Sequence, residues 1–154
     1  MKYLKKCLSA LRGLFRLEPK GLPLTVDVSE TITRYIFDPK HMRADNKPKP
    51  RAFDPGPTQK LSMFRIESLS EDDIWEIGRN VGVVSDRTLE GRGDLKAFHV
   101  SDQGLTFDVD NNPTRHFNAV NWPSDKDKRK DIQNELAAAA AGFRVKRHKE
   151  VYSP

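Results

Sequence analysis

LKAFHVSDQGLTFDVDNNPTRHFNAVN, residues 95–121, decides the fold class. Three short runs, 95–100, 105–110 and 115–121, alternate apolar and polar residues and are separated by SDQG and NNPT, both rich in turn formers. The pattern predicts a three-stranded antiparallel meander. With four-residue loops, Val100 lies opposite Leu105 and Asp110 opposite Arg115, because that register keeps the apolar side chains together. Phe98, Val100, Leu105, Phe107, Val109, His116, Asn118 and Val120 then share one face. Leu95, Ala97, His99, Thr106, Asp108, Asp110, Arg115, Phe117 and Ala119 share the other.

Downstream, Trp122 and Pro123 close the last strand, with the indole as an apolar plug at the corner. Ser124 is placed to cap a helix that turns Ile132, Leu136, Ala139 and Ala140 inward and ends at Gly142. Upstream, KLSMFRI alternates as a strand with Leu61, Met63 and Arg65 on one side and Ser62, Phe64 and Ile66 on the other. Ser70 caps a helix over 71–81 whose first turn is acidic and whose apolar face is Ile74, Trp75, Ile77 and Val81. SETITRYIF favours a strand through its β-branched residues, and LPLTVDV, 22–28, reads as an edge strand limited by Pro23. TLEGRGD reads as a turn or short connection. Residues 38–59 hold five prolines and no apolar period, a long loop anchored by Phe53.

These elements predict one α+β domain over 1–154: a small antiparallel or mixed sheet with a C-terminal three-stranded meander, packed by two or three helices. Leu, Ile, Val and Phe make up 37 of 154 residues, about 24%, enough for a lean core. The segment 2–17 is an amphipathic basic helix with Leu4, Cys7, Leu8, Leu11, Leu14 and Phe15 on its apolar side. One cysteine excludes an internal disulfide and fits a reducing, cytoplasmic setting, and no apolar run is long enough to span a bilayer.

The RHxNxxxWP spacing at 115–123, together with LSMFRI followed by DDIWEIG, resembles small bacterial proteins of unknown function over about residues 51–141. The resemblance implies a single bacterial domain and carries no activity and no site residue.

The formal charge of +5 favours nucleic acid or an anionic surface. The first expectation is therefore a small non-enzymatic binding module that meets phosphates through Lys47, Lys49 and Arg51 in the proline-rich loop. Arg144, Lys146, Arg147 and Lys149 in the basic tail, 143–154, would add to it. An alternative is an adaptor or regulatory subunit that docks its first helix, through Leu4, Leu8, Leu11 and Phe15, onto a protein or membrane. A third is a metal-independent hydrolase or nuclease. There His99, as a cross-strand neighbour of Asp108, or His116 moves the proton, while Arg115 or Arg65 neutralises a phosphate. Arg115 and Asp110 are expected to pair across strands. His41, His99, His116 and His148 lack metal-ligand spacing and the nine glycines form no phosphate-binding loop, so neither a metal nor a cofactor is expected. The oligomeric state is left open.

Overall fold

In the computed structural model, residues 22–146 are described. The N-terminal basic helix expected at 2–17 and the last residues of the tail lie outside them. Six antiparallel strands form one sheet in the order β4-β5-β2-β1-β3-β6. They are β1 (Thr31–Ile36), β2 (Leu61–Arg65), β3 (Gly91–Lys96), β4 (Thr106–Asp108), β5 (His116–Val120) and β6 (Ala141–Arg144). Helix α1 (Glu71–Val84) follows β2, a single turn α2 (Phe98–Ser101) follows β3, and α3 (Lys126–Ala139) joins β5 to β6. The α+β class, an antiparallel sheet packed by helices, is as the sequence predicts.

Alternation along the strands sorts side chains onto two covered faces. Ile32, Leu61, Met63, Leu95, Phe117 and Ala119 pack under α3, whose Ile132 and Leu136 are buried among them. The proline-rich loop completes that layer. Two short 3-10 turns, Pro39–His41 and Pro50–Phe53, fold it back on the sheet, and Phe53 is its fully buried anchor. Tyr35, Phe64 and Ile66 turn to the opposite face and pack with Ile74 and Ile77 of α1. Gly78 lets that helix sit directly on the Tyr35 ring, since a Cβ there would lie 2.6 Å from its Cε1. Ser70 caps α1 through the Asp73 N–H at 3.2 Å.

Several local expectations are corrected. Residues 22–28 form no strand; the segment is irregular and is held by Val26 in the core and by the Pro23 carbonyl on Arg65. GRGD is not a turn but the start of β3. Its glycines answer to close packing, as a Cβ on Gly93 would meet Pro48 at 2.6 Å. Residues 98–101 leave the strand for the α2 turn, and β3 pairs with β1 and β6 rather than with β4. The C-terminal strands are therefore a β4–β5 hairpin laid against β2. The cap of α3 is Asp125, not Ser124, and accepts the Lys128 N–H at 2.9 Å. The helix ends at Ala140, and Gly142 lies within β6 opposite Gly93.

The hairpin register is one residue away from the predicted one: Phe107 pairs with Ala119 and Asp108 with Asn118. A one-residue slip moves every side chain to the other face. Phe107 therefore packs edge-on against Phe117 at 5.4 Å, while His116 and Asn118 turn to the α1 side of the sheet.

Arg65 is 2% exposed and grips Glu30 at two points, 2.7 and 2.6 Å. Burial raises the Glu30 carboxyl pKa, but the Arg65 hydrogen bonds and the Asp27 N–H outweigh it and leave it below the ordinary value. A depressed carboxyl pKa contributes stability above its unfolded value and loses it as pH falls through the folded one. Replacing Glu30 by Gln should therefore cost about 3 kcal/mol at neutral pH, where it strands a buried guanidinium. Urea titrations of both proteins at pH 7 and pH 3 should show the gap closing at the acid end. A gap of the same size at both pH values would mean that the ion pair is not its source.

Candidate functional site

The β4–β5 connection is built from residues with little freedom. Asn111 and Arg115 take positive φ, 53° and 72°, and side chains capable of local hydrogen bonding hold them there. Asn111 Oδ1 accepts the Arg115 N–H at 2.8 Å and the Pro113 carbonyl accepts the His116 N–H at 2.9 Å. The Asn112 N–H donates to Asp110 Oδ1 at 3.1 Å, which aims that carboxylate back over the strand. Asp110 Oδ1 lies 2.6 Å from His116 Nδ1. On the neighbouring strand, Ser62 Oγ lies 2.8 Å from His116 Nε2.

The result is a linear Asp110–His116–Ser62 relay. An ionised carboxylate only accepts, so in a neutral imidazole Nδ1 carries the proton and the Nε2 lone pair is offered to the Ser62 hydroxyl. The Phe64 ring meets the imidazole edge-on at 5.2 Å and His116 is buried, whereas Ser62 is half-exposed. Asn118 sits directly opposite Ser62 in the ladder and is also half-exposed. Beyond it, the exposed Thr106 and Asp108 mark the part of this face that α1 does not cover.

Arg115 is buried beside this relay. One terminal nitrogen donates to the Arg65 carbonyl at 3.2 Å, while its Nε has no hydrogen-bond partner. Burial first, and then the nearby Arg65 charge, lower its pKa, and Glu30 and Asp73 pull the other way.

The structure unites some predicted residues and separates others. Asp110 holds His116, not Arg115, so the expected cross-strand ion pair does not form. His99 and Asp108 are not neighbours: His99 stacks on Phe98 at 4.1 Å in the α2 turn, and Asp108 stands on β4 with Lys60 at 3.9 Å. Lys47, Lys49 and Arg51 are exposed on the loop. Arg144 is drawn to that loop, donating to Asn46 Oδ1 and the Arg43 carbonyl at 3.1 and 3.0 Å. Lys146 joins Trp75, Arg79 and Phe143 around a groove of about 590 Å³ between α1 and β6. Beneath it Arg92 is stacked between Trp75 and Phe143, 4.3 and 4.5 Å from the ring centres. Arg147 and Lys149, like Leu4, Leu8, Leu11 and Phe15, lie outside the described residues.

Residues 22–146 carry 19 Lys or Arg against 20 Asp or Glu, a net charge of −1, so the surplus behind the overall +5 lies in the two ends. Among the described residues, no three His, Cys, Asp or Glu side chains converge on a metal-sized site and no helix is long and apolar enough to cross a membrane.

Set against known proteins, the chain matches no family, no curated sequence and no solved structure. The geometry of the site carries the functional argument.

Sequence reasoning singled out His116 but missed Ser62 and misassigned Asp110. The signal for Ser62 was a lone hydroxyl in KLSMFRI on a strand side otherwise apolar through Phe64 and Ile66. The relay makes a spectroscopic prediction. Nitrogen-15 NMR of His116 at neutral pH should show a proton on Nδ1 and a bare Nε2. The opposite tautomer would mean that Ser62 accepts rather than donates, and the relay would be lost.

Proposed function

We propose that the protein is a metal-independent hydrolase in which Ser62 is the nucleophile, His116 the general base and Asp110 the group that orients the imidazole. The observation that carries this reading is the pair of contacts at 2.8 and 2.6 Å on the two nitrogens of one ring. A serine hydroxyl is weakly nucleophilic until a base takes its proton as it attacks, and the base must be held in the right tautomer. All three requirements are met by neighbouring groups on one face of the sheet.

For an ester substrate, Ser62 Oγ attacks the carbonyl carbon and passes its proton to His116 Nε2. The ester C–O bond then breaks and the leaving alkoxide takes that proton. Water, activated by the same nitrogen, hydrolyses the acyl-serine and restores the hydroxyl. Asn118, across the ladder from Ser62, supplies an N–H donor for the oxyanion. The half-exposed serine and the uncovered strip of sheet beside it suit an extended or surface-docked acyl substrate.

The test is labelling by a fluorophosphonate together with turnover of a p-nitrophenyl ester. Wild type should react at one serine. Ser62→Ala should abolish labelling, and His116→Gln or Asp110→Asn should cut turnover by at least about 100-fold, the usual scale for a general base. Equal labelling of wild type and Ser62→Ala, with circular dichroism showing both folded, would end the proposal.

A second reading, a non-enzymatic module that contacts nucleic acid, is supported by the gathering of Arg79, Arg144 and Lys146 beside Trp75 and Phe143. The exposed Phe143 ring can stack on a base while the cations meet phosphates. Labelled single-stranded DNA should then bind with an affinity that falls steeply with salt, and Lys146→Glu with Phe143→Ala should weaken it about tenfold or more. Binding that survives both substitutions would move any nucleic-acid contact away from this groove.

A further inference from the structure

Strands β1 and β2 pair at only two positions, Ile32 with Arg65 and Thr33 with Phe64, and then part. Arg34 fills the wedge. Its Nε donates to the Ala52 carbonyl and a terminal nitrogen to the Ser62 carbonyl, both at 2.9 Å. These bonds replace ladder bonds that the splayed strands can no longer make. Both acceptors are neutral, and among the described residues no carboxylate comes within ion-pair distance of this guanidinium.

A pocket of about 150 Å³ opens beside it, lined by Arg34, Phe37, Asp38, His41, Ala52 and Arg87. Arg87 is the second cation there. Its guanidinium lies over the Phe37 ring at 4.4 Å and its Nε donates to Ser85 Oγ at 3.1 Å. The acidic side chain on the wall, Asp38, is already engaged by the Lys40 N–H at 2.8 Å and by His41 at 3.7 Å. Two guanidinium groups thus share a small cavity with one committed carboxylate. Burial first, and next the Arg87 charge, push the Arg34 pKa down to about 10, while Asp54 acts more weakly in the other direction.

Like charges brought together in a partly dry pocket are unfavourable until an anion joins them. Arginine forks match the oxygens of a tetrahedral oxyanion, and an imidazole adds a further donor. The volume is below the roughly 300–1,000 Å³ of pockets that enclose drug-sized molecules. We propose that this wedge is a binding site for a phosphate-class oxyanion, either free phosphate or the terminal phosphate monoester of a small ligand. The site goes beyond the hydrolase reading and does not depend on it, since Arg34 and the Ser62 side chain lie on opposite faces of the sheet.

The experiment is titration of the full-length protein with inorganic phosphate at low ionic strength, followed by calorimetry and by nitrogen-15 NMR of the arginine Nε–H groups. Glycerol phosphate is run in parallel to separate the two sources. Saturable binding with shifts at Arg34 Nε–H and Ala52 N–H is expected. Tighter binding of inorganic phosphate would assign the free ion, and tighter binding of glycerol phosphate would assign a monoester ligand. Arg87→Gln, on an exposed side chain, should weaken binding about tenfold, equivalent to roughly 1.4 kcal/mol, and His41→Asn should weaken it less. Absence of saturable shifts at Arg34, or equal affinity in wild type and Arg87→Gln, would overturn the proposal.

Discussion

Arg65 is the group on which the rest of the structure depends. Its side chain reaches Glu30 and the Pro23 carbonyl, which ties the irregular N-terminal segment to the central strand β2. Its backbone exchanges hydrogen bonds with Arg115 on the other side, N–H to the Arg115 carbonyl and carbonyl from the Arg115 guanidinium. The entry to β1, the end of β2 and the start of β5 are thereby fixed at one point. Removing the carboxylate from so deeply buried a guanidinium is costly, so Glu30 holds the N-terminal segment at this point, and His116, the residue after Arg115, is positioned by the same junction.

The same need to satisfy buried charge explains how a sheet covered on both faces can exist with so few large apolar residues. Arg65 and Arg92 are among the largest fully buried side chains. Their methylene stems fill volume as leucine would, and their heads are met by carboxylates and aromatic rings. Arg92 has Glu71 and Asp94 at 2.7 and 3.1 Å and a ring on each side. Asp94 is correspondingly pushed up by burial, against the Thr33 hydroxyl and Arg92, which lower it. Within residues 22–146 acidic and basic side chains nearly balance, which is why overall basicity says little about what this body recognises.

What could be read from the sequence follows from how local each signal is. β2 and α1 carry their own alternation, cap and apolar stripe, and they form as expected. Phe53 and Trp122 are legible because a lone aromatic residue among turn formers has to be placed somewhere dry. β3 was hidden because Gly91 and Gly93 look like punctuation, whereas their small size is demanded by Phe143, Met42 and Pro48 pressing on the strand. β6 was hidden in an alanine run that favours helix, and it becomes a strand only because β3 offers a free edge. The hairpin register depended on the length of one turn. A four-residue loop was the simplest guess, but the last ladder pair is Asp108 with Asn118, and the longer connection moves His116 across the sheet. The polar partners of that histidine could not be identified while it was assigned to the wrong face.

The connection between β4 and β5 also accounts for the character of the relay. Residues in left-handed backbone conformations cost on the order of 1–3 kcal/mol each unless the surroundings hold them, and both Asn111 and Arg115 are held by hydrogen bonds within the same short segment. Those bonds leave Asp110 little room to relax away from His116. Ser62 approaches the ring from β2, where it pairs with Asn118 of β5 and its carbonyl accepts from the Arg34 guanidinium in place of a β1 ladder bond. In the proposed hydrolase, a relay whose two ends are fixed independently does not need to reorganise when charge develops on the imidazole, and that preorganisation is what the proposal asks of the site beyond a contact between polar side chains.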